Sequence, residues 1–170
     1  MKRKSPITIF IVDDDELMSA ALKQEIEQVF LMHPIAVSIF STGEQCELFM
    51  KNKPDLVIVN YDLNGKRDNS INGLETIKRV KSTDPHTQVL MLTRSETVEM
   101  ATLALQYGIH DYIVKNAMLF EKLKLSLMQC ITILELRRNM KEQVNLGIYA
   151  IIIVFLMFGV ALGLRAYTPA

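Results

Sequence analysis

The sequence predicts an α/β domain built on a doubly wound, five-stranded parallel sheet, followed by one C-terminal transmembrane helix. From residue 6 to residue 116, short apolar segments rich in branched side chains alternate with helix-like segments, which is typical of a parallel sheet covered by helices on both faces. From residue 146 to residue 164, 19 residues run without a charge. At about 1.5 Å per helical residue they cover about 28 Å, close to the roughly 30 Å hydrocarbon core of a bilayer.

Each predicted strand is followed by a predicted helix. Apolar runs bounded by turn residues predict strands at 7–12, 35–40, 55–60, 88–92 and 111–114. The segments between them predict helices at 16–31, 43–52, 72–82, 95–107 and from 117 onward. We expect Ser41-Thr42-Gly43-Glu44 to form a helix entry, Gly108 to form a left-handed helix end, and Asp84-Pro85 to close the third helix. The polar segment 64–73 is predicted to be a surface loop.

The charge balance argues against nucleic acid as a partner. Lys plus Arg equals Asp plus Glu, 19 against 19, so no excess positive field draws the chain to a polyanion. Cys46 and Cys130 match no metal or redox spacing, and we expect them to be reduced, small hydrophobic residues. A length of 170 residues fits one domain and an accessory segment.

The charges that flank the apolar segment predict its orientation. Arg137, Arg138 and Lys141 precede it, whereas Arg165 follows it, so its N-terminal side is expected to face the cytoplasm. The apolar stretch near the N-terminus is too short for a secretion signal. We therefore expect a single-pass protein of the cytoplasmic (inner) membrane whose domain faces the cytoplasm. The alternative is a buried core helix or hairpin.

The last helix is expected to continue beyond the domain. The predicted boundaries are a domain at 1–130, a helical stalk at 131–145, the transmembrane helix at 146–164 and a short tail at 165–170. An apolar stripe on this helix is most often packing against the sheet, and it also fits a homodimer formed through the last helix. Its members are Phe120, Leu123, Leu127, Cys130 and Leu134.

Polar residues lie at the carboxyl ends of four predicted strands. They are Asp13, Asp14 and Asp15 after the first strand, Asn60 and Asp62 at the third, Thr93 after the fourth and Lys115 after the fifth. In a doubly wound sheet these strand ends meet at the functional edge. Adjacent carboxylates suit Mg²⁺, whereas a hydroxyl and an ammonium suit the oxygens of a phosphoryl group. The set therefore predicts a phosphate site with a metal.

Five pieces of sequence, in order, resemble the response-regulator receiver family over about residues 6–130. They are IFIVDDDELM, PDLVIVNYDLNG, INGLETIKRV, VLMLT and GIHDYIVKN. The resemblance implies a CheY-like, flavodoxin-like sheet with strand order 2-1-3-4-5. It also implies two-component phosphorelay signalling, with a histidine kinase, a phosphotransfer protein or another signalling protein as partner.

The resemblance also assigns expected roles to individual residues. Asp13 and Asp14 match the acidic pair that binds Mg²⁺, with the backbone carbonyl of Asp62 as a further ligand. Thr93 and Lys115 match the switch hydroxyl and the phosphate-binding lysine. Two further matches are Tyr112, at the position of the aromatic switch residue, and Asn116, where a proline is common in the family.

The phosphate-accepting aspartate of the family is replaced by Asn60. A neutral amide is a poor nucleophile, so no acyl phosphate is expected there. The substitution also removes a negative charge, so we expect weakened Mg²⁺ binding. The first hypothesis is therefore a pseudo-receiver, a binding module and not an enzyme, held at the membrane by residues 146–164.

Two alternatives stay open at this point. An active receiver could accept phosphate at Asp62, although this residue lies about 6 to 7 Å further along an extended chain. The run IFIVDDD, with Thr93 and Lys115, also resembles phosphohydrolases of the haloacid dehalogenase kind. In that reading Asp13 is the nucleophile and Asp15 the general acid.

Overall fold

A computed structural model of the chain describes residues 5–31, 33–63 and 71–167, with side chains described as far as residue 157. The chain divides into two compact units, Met1–Ile131 and Thr132–Ala170. The sheet lies in the first unit.

Five strands and five α-helices alternate along the described chain. The strands are β1 (Ile7–Val12), β2 (Ile35–Phe40), β3 (Leu56–Asn60), β4 (Gln88–Thr93) and β5 (Asp111–Val114). The helices are α1 (Glu16–Val29), α2 (Gly43–Phe49), α3 (Gly73–Thr83), α4 (Val98–Gln106) and α5 (Leu119–Tyr167), with a 3₁₀ turn at Met50–Asn52. All strands are parallel and lie in the order β2-β1-β3-β4-β5. The predicted fold class and strand order are confirmed.

The central strands carry the core. Residues on one face of β1, β3 and β4 form a buried cluster with α2, α3 and α4, and its members on these strands include Phe10, Val57, Val59 and Met91. The alternate residues of these strands, such as Ile9, Ile11 and Ile58, are also fully buried. Both faces of the central strands are therefore covered, and each such side chain contributes about 1.5–3 kcal/mol by leaving water.

The branched residues of all five segments led us to expect strands buried on both faces, and this expectation was wrong for β2. This strand pairs only with β1 and forms one edge of the sheet. Its residues are mostly half-buried or exposed, and Ile39 is 40% exposed. An edge strand has one neighbour instead of two, so branched residues alone do not report how deeply a strand is buried.

Several helices begin or end at other residues than predicted, because local capping interactions set their boundaries. The fourth helix was predicted from residue 95, but it begins at Val98 because the Thr97 side chain accepts a hydrogen bond from the Met100 amide at 3.3 Å. The first helix ends at Val29, two residues earlier than predicted. Gly108 has a φ of +60°, as the predicted left-handed end requires. Of the loop predicted at 64–73, residues 64–70 lie outside the described residues.

Both cysteines lie in the packed interior of the domain. Cys46 belongs to α2 and Cys130 to the first part of α5, and neither side chain is exposed. Burial raises the pKa of each thiol to about 12, because the thiolate would lose its hydration. Each behaves as a small hydrophobic residue, as expected.

Helix α5 contains 49 residues. In the first unit, Leu123, Leu127 and Cys130 are fully buried, whereas Phe120 is 38% exposed. Within the described residues this is the helix that is long and apolar enough to cross a membrane, over Leu119–Met157, and its most apolar stretch is not buried. The length and the composition of this helix are therefore compatible with a span.

Helix α3 begins beside the strand end that carries Asn60. A Cβ atom at Gly73 would lie 2.6 Å from the carbonyl oxygen of Tyr61 and 2.7 Å from its Cα, closer than any van der Waals contact allows. The Asn72 side chain caps the helix by accepting a hydrogen bond from the Glu75 amide at 2.8 Å. Only glycine lets the helix approach the backbone of β3 this closely.

Replacing Gly73 with alanine should therefore lower the free energy of unfolding by about 1–3 kcal/mol, because the added methyl group pushes the start of α3 away from the backbone of Tyr61. Urea unfolding of the full chain in detergent, followed by circular dichroism, measures the loss. Gly108→Asn is the control, since nothing lies within 4 Å of its Cβ position and asparagine tolerates positive φ. Equal losses in the two variants would contradict the steric argument.

Candidate functional site

The parallel sheet brings four strand ends together at one edge. Asp13 follows β1, Asn60 ends β3, Thr93 ends β4 and Lys115 follows β5. An open cleft of about 510 Å³ lies at this edge. Its lining residues are Asp13, Asp14, Asp15, Met18, Asn60, Arg94 and Lys115.

Asp13 and Lys115 form an ion pair at the bottom of the cleft. The Asp13 side chain is 1% exposed and the Lys115 side chain is 12% exposed, and Lys115 Nζ donates to Asp13 Oδ2 at 2.8 Å. The other carboxylate oxygen, Oδ1, accepts from the Asp15 amide at 3.1 Å. A buried carboxylate is stable only with such donors around it.

The Asn60 side chain connects Asp13 and Asp14, the first two of the three acids that precede α1. This side chain is 2% exposed. Nδ2 donates to Asp13 Oδ1 at 3.0 Å and to Asp14 Oδ1 at 3.2 Å, while Oδ1 accepts from the Asp62 amide at 3.3 Å. The orientation of the amide follows from its neighbours, since ionised carboxylates only accept and a backbone N–H only donates. Each of the two amide hydrogens therefore has a carboxylate partner.

The carboxylate of Asp62 lies toward the β4–α4 connection. Its Oδ2 accepts a hydrogen bond from the backbone amide of Arg94 at 3.0 Å. Asp62 is not among the residues that line the cleft. The side chain considered as a substitute acceptor is thus engaged with a backbone group of another loop.

Thr93 ends β4, whereas Tyr112 lies within β5, and both side chains contact other groups of the domain. Thr93 is fully buried, and its hydroxyl donates to the carbonyl of Ser95 at 3.2 Å and accepts from the Ser95 amide at 3.3 Å. Tyr112 is partly buried and packs against the hydrophobic core. Both hydrogen bonds of the Thr93 hydroxyl are therefore made within the β4–α4 connection.

Two residues of the cleft have roles that the sequence patterns did not predict. Asp15 caps α1, because its Oδ1 accepts from the Met18 amide at 3.0 Å. Arg94 lines the cleft opposite this helix start. The signal for Arg94 was its place directly after the strand-end residue Thr93.

The described side chains do not provide a ready metal site. Within residues 5–31, 33–63 and 71–157, no group of three His, Cys, Asp or Glu side chains is placed to hold a metal ion. Mg²⁺ requires oxygen ligands in near-octahedral geometry. Asn60 instead presents an N–H group to each of Asp13 and Asp14, so the donor set in this arrangement does not fit the ion.

Comparison with known families places the chain. The family model of the response regulator receiver domain matches residues 9–126. The chain belongs to this family. The match includes the residues of the cleft, so it favours the receiver interpretation of the Asp13–Asp15 run over the phosphohydrolase one.

Relatives agree with this assignment. A probable C4-dicarboxylate response regulator, DctR of Priestia megaterium, is 31% identical over 127 residues, which cover 74% of this chain and 52% of that protein. The chain thus spans about half the length of this curated relative.

Solved structures of receiver domains show the same fold. The receiver domain of a putative Luxo repressor protein from Vibrio parahaemolyticus has a TM-score of 0.66 at 21% identity, with 78% of this chain and 95% of that one covered. A receiver domain protein from Clostridium thermocellum has a TM-score of 0.63 at 21% identity, with 76% and 97% covered.

Family membership supports a general role in two-component signalling. Receiver domains are generally signalling modules and not enzymes, and they interact with histidine kinases or phosphotransfer proteins. They commonly bind Mg²⁺ at their acidic site.

The ion pair makes a testable contribution to stability. Lys115→Met should lower the free energy of unfolding by about 3 kcal/mol, because a buried carboxylate loses its charged partner. Urea unfolding of the full chain measures this loss. Lys124→Met, at an exposed position of α5, is the control and should change stability by less than about 0.5 kcal/mol. A loss at Lys115 no larger than at Lys124 would show that the pair contributes nothing.

Proposed function

We propose that this chain is a membrane-tethered pseudo-receiver, a receiver domain of two-component signalling that acts by protein–protein contact without accepting phosphate. The observation that carries the proposal is Asn60, at the position where the family has its acceptor aspartate. The amide is buried and donates hydrogen bonds to both Asp13 and Asp14. A carboxylate oxygen attacks phosphorus, whereas an amide that donates both its hydrogens has no comparable nucleophile.

The position of Asp62 supports this proposal over a displaced acceptor. Its carboxylate accepts the hydrogen bond of the Arg94 amide and lies outside the set of residues that line the cleft. To act as the nucleophile, Asp62 would have to release this bond and turn toward Lys115. The release would leave the Arg94 N–H without its partner, at a cost of about 1 kcal/mol or more.

The hydrogen bonds at the site support a surface with one fixed state. The Asp62 carboxylate joins the end of β3 to the β4–α4 connection, and the Thr93 hydroxyl is satisfied by Ser95. The switch residues Thr93 and Tyr112 then keep one arrangement without a phosphoryl group. In this proposal a histidine kinase, a phosphotransfer protein or another signalling protein recognises that arrangement, and nucleic acid is not a partner.

A shallow groove on the β5–α5 side offers a contact surface for such a partner. Its volume is about 370 Å³. Its lining residues are Glu96, Asp111, Tyr112, Val114, Lys122, Leu125, Ser126 and Gln129. The groove includes Tyr112, so a partner bound there would contact the switch residue directly.

The proposal places the domain at the cytoplasmic face of the inner membrane. Residues 1–130 form the domain, 131–145 a helical stalk, 146–164 a single transmembrane helix and 165–170 a tail. The exposed apolar side chains of α5 support the span, and Ile151, Val154 and Phe155 are each more than half exposed. Apolar surface of this extent in water is unfavourable, and either lipid or a second copy of the helix would cover it.

The chemistry is tested by incubating the full chain, in detergent, with Mg²⁺ and a small-molecule phosphodonor and measuring the intact mass. We expect no phosphoryl adduct on the parent and on Asp62→Ala, and an adduct on Asn60→Asp, because the variant restores a carboxylate between Lys115 and the acid pair. The Asn60→Asp variant shows that the donor and the conditions are competent.

The opposite result is equally clear. An adduct on the parent that disappears in Asp62→Ala would identify Asp62 as an active acceptor and reject the pseudo-receiver.

Membrane insertion is tested with charges in the apolar segment. In cells, the parent should stay in the membrane pellet after alkaline carbonate extraction, whereas Ile152→Arg/Leu156→Arg should be extracted. Each arginine near the centre of a span costs about 2.5–3.5 kcal/mol on insertion scales. Ile152→Val/Leu156→Val is the matched control and should stay in the pellet. A parent chain that is fully extracted would contradict the tether.

A further inference from the structure

Asp13 and Asp14, two of the three acids of the cleft, accept hydrogen bonds from the same donor atom. Asn60 Nδ2 lies 3.0 Å from Asp13 Oδ1 and 3.2 Å from Asp14 Oδ1. Two carboxylates that converge on one point repel each other unless a group of positive character lies between them. The NH₂ group has such character, and its two hydrogens suit one carboxylate each. The amide thus lies between the acids as a bridging cation would.

The charge balance of the pocket matches this arrangement. Three acids, Asp13, Asp14 and Asp15, and two basic residues, Lys115 and Arg94, line the cleft. Within the bridged pair of Asp13 and Asp14, Lys115 returns one positive charge through its 2.8 Å bond to Asp13. A carboxylate at position 60 would add a third negative charge beside the pair. With Asn60, the acids are satisfied by hydrogen bonds and one ammonium group, so no further cation is needed for them to approach each other.

Cation binding would also disturb the other side of the amide. To offer an oxygen ligand, Asn60 would have to turn over, so that Oδ1 faces the acids and Nδ2 faces the Asp62 amide. The turn would break the bonds to Asp13 and Asp14. It would also bring the Nδ2 donor against the Asp62 N–H, another donor, which is bonded to Oδ1 at 3.3 Å in the structure. Hydrogen bonds to ionised groups are stronger than bonds between neutral groups, so the loss of these two bonds opposes the turn.

We infer that the Asn60 amide takes the structural place of the divalent cation between Asp13 and Asp14, so that this acidic site is complete and folded without metal. The inference rests on the proposed pseudo-receiver and deepens it. The substitution removes the acceptor and, in the same step, supplies the group that holds the acid pair together. The arrangement of the β1, β3 and β5 ends is then independent of the Mg²⁺ concentration.

The test compares the response to Mg²⁺ of the full chain in detergent with the responses of two variants, Asn60→Asp and Asn72→Asp. Thermal unfolding is recorded in EDTA and in rising MgCl₂, and Mg²⁺ binding is measured by calorimetry. We expect the Tm of the parent to stay constant up to about 10 mM Mg²⁺. At that concentration a site with a dissociation constant of about 1 mM would be nearly filled and would raise the Tm. Asn60→Asp should melt lower in EDTA and rise with Mg²⁺, with binding at least about tenfold tighter than in the parent.

The control variant adds the same charge at another asparagine, the residue that caps α3. Asn72 accepts a hydrogen bond from the Glu75 amide at the start of α3, and Asn72→Asp should show no Mg²⁺ response. Because Asn60→Asp could unfold in EDTA, substoichiometric Mn²⁺ is also added to the ¹⁵N-labelled parent. No selective broadening of the Asp13, Asn60 and Lys115 signals is expected.

The outcomes separate this inference from the proposed function. Millimolar Mg²⁺ binding by the parent, or selective broadening of its site signals by Mn²⁺, overturns the inference even if the chain takes no phosphate. An Asn60→Asp variant that folds and ignores Mg²⁺ also overturns it. A phosphoryl adduct on the parent would reject the pseudo-receiver. This outcome is detected by the intact-mass measurement, independently of Mg²⁺ binding.

Discussion

Asp13 is a carboxylate with 1% of its side chain exposed, and the charge it carries in the interior organises the whole functional edge. Water cannot solvate it, so the fold has to supply donors. They come from three separate places in the chain, which are the Lys115 ammonium, the Asn60 amide and the backbone N–H of Asp15. Meeting this requirement holds the ends of β1, β3 and β5 in one arrangement.

From Asn60 the same network extends to the fourth strand. The Asp62 amide donates to the Asn60 side chain, and the Asp62 carboxylate accepts from the Arg94 amide. Four strand ends are therefore connected by hydrogen bonds among protein groups alone. In a receiver that takes phosphate, a metal and a phosphoryl group would lie within this region. In the proposed pseudo-receiver, the Asn60 amide and the Asp62 carboxylate connect the same strands instead. This difference is the physical basis of the proposed contact function.

The fold was largely accessible from sequence because its signal is local and repeated. The runs 7–12, 35–40 and 111–114 are bounded by turn residues, and they are strands over the same bounds in the structure. The errors fall where local signals compete. The helix at 95–107 starts at Val98 because Thr97, and not an earlier residue, caps it, and β2 is more exposed than its composition indicates because it lies at an edge.

By itself, the sequence determined the order of the elements, the strand ends that carry polar residues, the missing carboxylate at position 60 and the long apolar segment. These depend on residue type and on spacing along the chain. Only the tertiary structure decided that the Asn60 amide bridges Asp13 and Asp14 and that Asp62 bonds to Arg94. The hydrogen-bond partners that join different strand ends lie 32 to 102 residues apart. Their pairing depends on angstrom-scale distances that only the packed sheet defines.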